Sequence, residues 1–457
     1  MEENTYTMAE AIAEAKRCLH CKVPQCKKGC PVSNDIPDWI HELSMGNIGN
    51  AMSIINAKSN LPAVCGRVCA HERQCEGNCV LGKKGQHINI GRLEQFIADF
   101  DSDMCLSRQP LVQKDRGRVA VIGSGPAGLT VAGELARGGF DVEIFEMESE
   151  AGGVLMFGIP EYRLPKRVVA SEIEKIRQLG VHINTGVTIG PDVNIDVLFE
   201  RGFDAIFIGT GTGKPKKLPI EGVGSDCVRQ AIYFLRRVSL YNAGLIVREE
   251  VPVSPGDKVF VVGCGNTAID AARTALRMDA SEVTIVYHRD ISHMSALRAE
   301  YDDAVAEGVK FLWNTSVTAV KPLTPKQVVG NLTAADGALS NDATCFAIGS
   351  TPCRVTLENS EGGQMEVDGN KVILAVGSRP ASRIVSTTEG IEVDANGYVI
   401  TREHPYGMTT RKGVFAGGDV AGCQATVVHA MSDARAVAAS IAAYVDAVSL
   451  LRAVDAR

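Results

Sequence analysis

The chain has 457 residues, of which 45% are hydrophobic and 22% charged, with a formal net charge of −7. This composition excludes disorder as the main state, and the length argues for two or three domains. The acidic balance gives no electrostatic pull toward nucleic acid or an anionic membrane, and 46 Gly against 2 Trp suit nucleotide-binding α/β domains better than β-sandwiches.

The N-terminal stretch MEENTYTMAEAIAEAKRC is acidic and amphipathic, unlike a secretory leader. No uncharged apolar run reaches the roughly 18 residues of a membrane span. A cytoplasmic location is expected. Residues 8–20 have helical periodicity, 21–80 read as loops and short helices around Cys, Gly and Pro, and 87–104 read as helix again. Ser107 to Arg118 is polar and reads as a linker. A β-α-β opening follows: strand 119–123, helix 126–138, strand 142–147. A second begins at Lys258, with strand 258–263, helix 266–278 and strand 282–288. The near-continuous apolar runs 204–211, 370–377 and 413–418 add parallel-type strands that extend the first sheet. The reading is one dinucleotide domain inserted within another.

Of the 14 Cys, eight lie between Cys18 and Cys79. Without a secretory signal, such density reads as metal or redox chemistry rather than disulfides. The first group is Cys18, Cys21, Cys26 and Cys30-Pro31; the second is Cys65, Cys69, Cys75 and Cys79. Thiolates hold iron–sulfur cubanes, and a final Cys before Pro often serves the other cluster. Structural zinc more often shows paired C-x2-C knuckles, and a single C-x2-C is present in these groups. Many flavin reductases relay electrons through a redox dithiol. No C-x2-C or C-x4-C follows residue 80, so clusters would supply the outlet instead.

The first glycine fingerprint is Gly123-Ser-Gly125-Pro126-Ala127-Gly128, between strand and helix, with Glu146 closing the next strand. Such glycines allow pyrophosphate to approach a helix N-terminus, and such an acid accepts from ribose hydroxyls, as FAD requires. The second is Gly263-Cys-Gly265-Asn266-Thr267-Ala268, and its next strand runs into His288-Arg289. A base in place of the acid favours a 2′-phosphate, hence NADPH. Asp290 beside Arg289 leaves NADH as the alternative. Near the C-terminus, Gly417-Gly418-Asp419 leads from a strand toward a helix beginning at Thr426, where an Asp can bond a flavin ribitol.

These motifs resemble one family. CLHCKVPQCKKGCPVSNDIP, CGRVCAHERQCEGNC, INIGRLEQF, GSGPAGL, FGIPEYRLPK, GCGNTAID and GVFAGGDV match, over about Thr7 to Tyr444, the glutamate synthase small (beta) subunit family of NAD(P)H-dependent FAD/iron–sulfur oxidoreductases. That family includes the large subunit of NADH-dependent ferredoxin:NADP oxidoreductase. The resemblance implies FAD, NADPH and two [4Fe–4S] clusters. It implies one cluster on Cys18, Cys21, Cys26 and Cys79, and another on Cys30, Cys69, Cys75 and Glu94. Cys65 is then not a ligand; the alternative is that Cys65 completes an all-cysteine site and Glu94 is a surface carboxylate. The segment Gly152 to Pro165 resembles the family's flavin loop, with Gly153 and Arg163 at the cofactor. Ile189, Thr426, Val427, Ala375 and Gly377 are further expected cofactor-binding positions. The chain departs from the family at His288-Arg289, where two Arg are usual, at Met294-Ser295-Ala296, where Met-Pro-Ala is, and at Ala434-Arg435, where Gly-Arg is.

The expected fold class is α/β: two Rossmann-like dinucleotide-binding domains, the NADPH domain (251–355) inserted in the FAD domain (116–250 and 356–457), preceded by a mainly helical iron–sulfur domain (1–110). The expected function is electron entry from NADPH through FAD and two clusters to a larger partner subunit. Bifurcating ferredoxin:NADP oxidoreductase and sulfide dehydrogenase subunits are the alternatives. No protein acid or base is assigned.

Overall fold

A computed structural model describes residues 5–106, 111–190, 193–216, 218–323, 352–381, 384 and 388–455. Ser107 to Pro110 of the expected linker, and Cys345, lie outside them. The chain forms two compact units. One comprises residues through Met156, Glu161–Lys214 and the part from Arg379 onward; the other is Pro215–Ser378 with Phe157–Pro160.

The first unit begins with short helices. Thr7 and Glu10 form a reciprocal cap for Met8–Ala15. The helix stops before the expected residue 20, since the chain turns at Arg17 and Cys18 and His20 takes φ +46°. Ile36–Ser44 buries Ile36, Trp39, Ile40 and Leu43, the spacing of one helix face. Pro62–Val68 crosses Ile90–Met104 closely at Gly66. A Cβ there would lie 2.6 Å from the Gln95 nitrogen, so only glycine permits this crossing.

The same unit holds a seven-stranded sheet in the order Thr401–Glu403, Tyr406–Thr409, Val414–Ala416, Ala205–Ile208, Arg118–Ile122, Asp141–Phe145, His182–Asn184. Its last five strands are parallel, and Ile122 stands level with Phe145 and Ile208. The carboxyl ends of these strands therefore share one edge, the place where such sheets bind ligands. The C-terminal helix Val427–Asp455 packs on Pro126–Arg137. It buries Val428, Met431, Ala434, Val437, Ala438, Ile441 and Val445 along one face. By length and composition alone it could cross a membrane. Val437, Ala438, Ile441 and Val445 of that stretch are buried, while Leu450, Leu451 and Val454 are exposed.

The second unit has a five-stranded parallel sheet in the order Val228–Gln230, Lys371–Leu374, Lys258–Val262, Glu282–Val286, Lys310–Leu312. An antiparallel sheet of Thr315–Pro322, Cys353–Asn359 and Gln364–Gly369 flanks it in sequence. This corrects the expectation that the run 370–377 extends the first sheet. Leu374 pairs with Val262 and Gln230. The strand at 228–230 and the helix Ala231–Asn242 also belong here, so the insertion is wider than 251–355. A buried apolar strand reads the same in either parallel sheet; its hydrogen-bond partners decide, and local sequence does not name them.

Candidate cofactor and cluster sites

The first fingerprint forms the turn that its glycines require. Gly123 takes φ +97°, and Gly125 is the N-cap of Pro126–Arg137. A Cβ on Gly128 would lie 1.9 Å from the Gly123 carbonyl, whereas one on Gly125 would meet nothing within 4 Å. The open space at Gly125, in front of a helix N-terminus, fits a pyrophosphate. Glu146 is buried; its Oε2 accepts from the Ser124 amide at 2.9 Å and hydroxyl at 2.6 Å. The Ser124 hydroxyl accepts from the Gly152 amide at 2.9 Å, and a Cβ on Gly153 would sit 2.9 Å from the Gly125 Cα. The expected flavin loop thus begins against the fingerprint. Arg163 is half-buried farther along it. Pro126 and Ala127 are buried in the first turn of the helix.

Asp419 follows Gly418, whose φ is +70°. Burial pushes its carboxyl up to about 6, a position that a ribitol hydroxyl would relieve. Asp433, which the sequence reading missed, holds this turn. Its Oδ2 accepts from the Gly418 amide at 2.6 Å and its Oδ1 from the Tyr406 hydroxyl at 2.5 Å. Nothing local announces a contact spanning fifteen residues. The Thr426 hydroxyl accepts from the His429 amide at 3.3 Å, capping the helix that starts at Val427. Ile189 is buried with Ile122 and Phe145, so its side chain serves the core.

In the second unit Gly263 takes φ +119°, and its missing Cβ leaves room for the Ala375 carbonyl, 2.5 Å from where it would be. Gly265 caps Asn266–Arg277. Ala268 is fully buried in place of a third glycine, and Thr267 is exposed. Gly377, at φ +87°, ends the segment after Ala375. His288 and Arg289 are exposed just beyond Glu282–Val286. Asp290 is occupied. Its Oδ1 accepts from the Ser292 amide at 2.8 Å, the Ser292 hydroxyl at 2.5 Å and His293 Nδ1 at 3.1 Å. These bonds, Ser292 first, hold its carboxyl down at about 2. The Leu297 amide donates to Asn266 Oδ1 at 2.9 Å, and Ala296 to the Cys264 carbonyl at 3.1 Å. The segment 290–297 is therefore stitched to the glycine turn.

The cysteines ring two cavities. Cys18, Cys21, Cys26 and Cys79 line one, walled by Ile40, Leu81 and Ile88. Cys30, Cys69, Cys75 and Glu94 line the other, with Cys65, Trp39, His71 and Val428. Ile36 and Ile90 line both, so the cavities share a wall. Burial pushes Cys26 and Cys30 up to about 11 each, with neighbouring thiols or Glu94 adding to it. Cys18 and Cys75 move the same way for the same cause, and Cys69 through its bond with Cys65 and then burial. Glu94 is pushed up to about 8 by burial and then by Glu172. A cation among these donors would oppose the rise, which fits an iron cluster. Among the described residues no three His, Cys, Asp or Glu side chains converge as a single-ion site; these donors surround a space instead. Besides its bond with Cys69, Cys65 has its Sγ 3.7 Å from Met431 Sδ and 3.8 Å from Ser59 Oγ.

Comparison with known proteins agrees with this division. Residues 1–105 match the family described as dihydropyrimidine dehydrogenase domain II, 4Fe-4S cluster. Residues 117–434 match pyridine nucleotide-disulphide oxidoreductase. The glutamate synthase [NADPH] small chain of Halomonas elongata is 35% identical over 448 residues, covering 96% of this chain and 92% of the relative. That of Escherichia coli is 33% identical over 444 residues, covering 95% and 92%. The NADPH-Fe(3+) oxidoreductase subunit beta of Geobacter sulfurreducens is 31% identical over 454 residues, covering 93% and 64%. Among solved structures, Mycobacterium tuberculosis FprA in complex with NADPH has a TM-score of 0.54 at 18% identity, covering 72% of this chain and 84% of that one. Thioredoxin reductase from T. acidophilum has 0.52 at 19%, covering 71% and 97%. The likeness to these two is one of fold.

Proposed function

Since the chain belongs to the glutamate synthase small-chain family and is an NADPH-dependent FAD and iron–sulfur oxidoreductase, we propose that it is the electron-entry subunit of a glutamate synthase-type enzyme. It takes hydride from NADPH and delivers single electrons, through two [4Fe–4S] clusters, to a larger partner that completes the reaction. The observation that carries this reading is the pair of sulfur-lined cavities sharing the wall of Ile36 and Ile90.

When bound, FAD accepts electrons in pairs and iron–sulfur clusters carry them singly. This chain's residues supply position and electrostatics. Gly123, Gly125 and Gly128 clear the approach to the helix N-terminus, Glu146 would accept from a ribose, and Asp419, in the turn that Asp433 holds at Gly418, would bond the ribitol. Arg163 reaches the flavin from the loop. Gly263 and Gly265 do the same for NADPH, and Arg289 with His288 reads its 2′-phosphate. Cys18, Cys21, Cys26 and Cys79 hold one cluster; Cys30, Cys69, Cys75 and Glu94 hold the other.

Anaerobic purification followed by metal, sulfide and flavin analysis tests the reading. About eight iron and eight acid-labile sulfide per FAD are expected from two cubanes. Stoichiometric zinc without sulfide would refute it. Co-purification of a larger subunit from the native cell, with NADPH-dependent glutamate formation by the complex, tests the partner.

A further inference from the structure

Trp39 lies in the helix Ile36–Ser44 and is 1% exposed. Its indole Nε1 is buried with no hydrogen-bond partner. An indole N–H can only donate, so no change of tautomer or rotation of a proton relieves it. Buried donors are nearly always paired, and an orphan calls for an explanation. The Trp39 side chain lines the cavity of Cys30, Cys69, Cys75 and Glu94.

The two cavities differ in this respect. Asn34 Oδ1 and His71 Nε2, in side chains of the same lining, are also buried without partners. Among the described residues that line the first cavity, no side-chain atom is orphaned in this way. All three unmet atoms belong to residues of the second lining, which fits a polar occupant there. Asn34 and His71 could donate or accept according to amide orientation and tautomer. Trp39 alone has a fixed sense.

We propose that the Trp39 indole N–H donates to a sulfur of the cluster held in the second cavity and sets that cluster's reduction potential above the value it would have without the bond. This rests on the reading that the cavity holds a [4Fe–4S] cluster. Hydrogen bonds to cluster sulfurs are one of the levers on potential. Reduction adds negative charge to the sulfurs, and an N–H dipole stabilises the more negative state better. No electron donor or acceptor beyond those of the proposed function is required, since Trp39 itself is neither oxidised nor reduced.

The test uses the full-length holoprotein with Trp39→Phe, which keeps an aromatic ring and removes the donor. EPR-monitored potentiometric titration, with iron, sulfide and flavin content measured in parallel, is the readout. Cluster content should be retained, one cluster should titrate lower by a roughly three- to tenfold change in its reduction equilibrium, about 30–60 mV, and the other should not move. Two unchanged potentials at full content would overturn the proposal. Should the variant lose a cluster, the Trp313→Phe protein, which keeps Trp39 as its sole tryptophan, decides when grown with nitrogen-15-indole tryptophan. Coupling of the reduced cluster to the labelled nitrogen supports the bond, and its absence overturns it. An iron content of one cluster per FAD in the wild type would instead overturn the two-cluster reading, and the proposal with it.

Discussion

Glu94 and Cys65 line the same cavity, and only one is needed as a fourth donor beside Cys30, Cys69 and Cys75. The thiol of Cys65 is engaged with Cys69, Met431 and Ser59, whereas Glu94 is a carboxyl whose burial opposes its charge. Glu94→Ala should therefore lower iron from about eight to about four per FAD, and Cys65→Ala should leave it near eight; iron and sulfide analysis of the two variants checks this, and the reverse pattern would reassign the ligand. At the nicotinamide site, the charge of Asp290 beside Arg289 would repel a phosphate, and its Oδ1 also caps the turn at 291–293. Arg289→Ala should cost roughly 10- to 150-fold in NADPH preference. Asp290→Ala should weaken 2′,5′-ADP binding by losing the cap, and Asp290→Asn, which still accepts through Oδ1, should not. Calorimetry with 2′,5′-ADP measures both, and tighter binding in either Asp290 variant would show the repulsion to be the larger effect. Asp419 gives a pH signature. Its folded value of about 6 lies above its ordinary range, so its contribution to stability is present in acid and lost as pH rises through about 6. Asp419→Asn should stabilise the flavin-free protein more at about pH 8 than at about pH 4.5, as thermal denaturation at the two values would show.

Elements were legible where the signal is local. The two glycine fingerprints declare themselves because strand, turn and helix are contiguous, and Cys18, Cys21 and Cys26 are close in sequence. What was not legible depends on pairing across long separations. Spacing alone would group Cys79 with Cys65, Cys69 and Cys75, but the fold brings it to the cavity of Cys18. The strand Lys371–Leu374 carries no mark of which sheet it joins, and Asp433 acts through contacts that no local pattern encodes. The glycines of the flavin turn separate folding from binding. Gly128→Ala would drive a Cβ to 1.9 Å from the Gly123 carbonyl, so it should lower the melting temperature and abolish FAD binding together. Gly125→Ala meets open space and should leave the apoprotein's melting temperature nearly unchanged while weakening FAD, because the methyl fills the pyrophosphate's approach. Thermal shift with and without FAD distinguishes them, and equal losses of stability would contradict this account.

At the scale of the whole molecule, one unit carries the cysteine cavities and the first fingerprint, and the other carries the second fingerprint. The two glycine turns and the two adjoining thiol-lined cavities are the features that the proposed route from NADPH to single electrons would use. The central claim is that reducing equivalents from NADPH reach the clusters. The most direct measurement is EPR and optical spectroscopy of the anaerobic holoprotein held with a regenerating supply of NADPH. The prediction is a bleached flavin band accompanied by the signal of at least one reduced [4Fe–4S] cluster. A bleached flavin with every cluster EPR-silent, while dithionite brings the cluster signals up in the same sample, would contradict it.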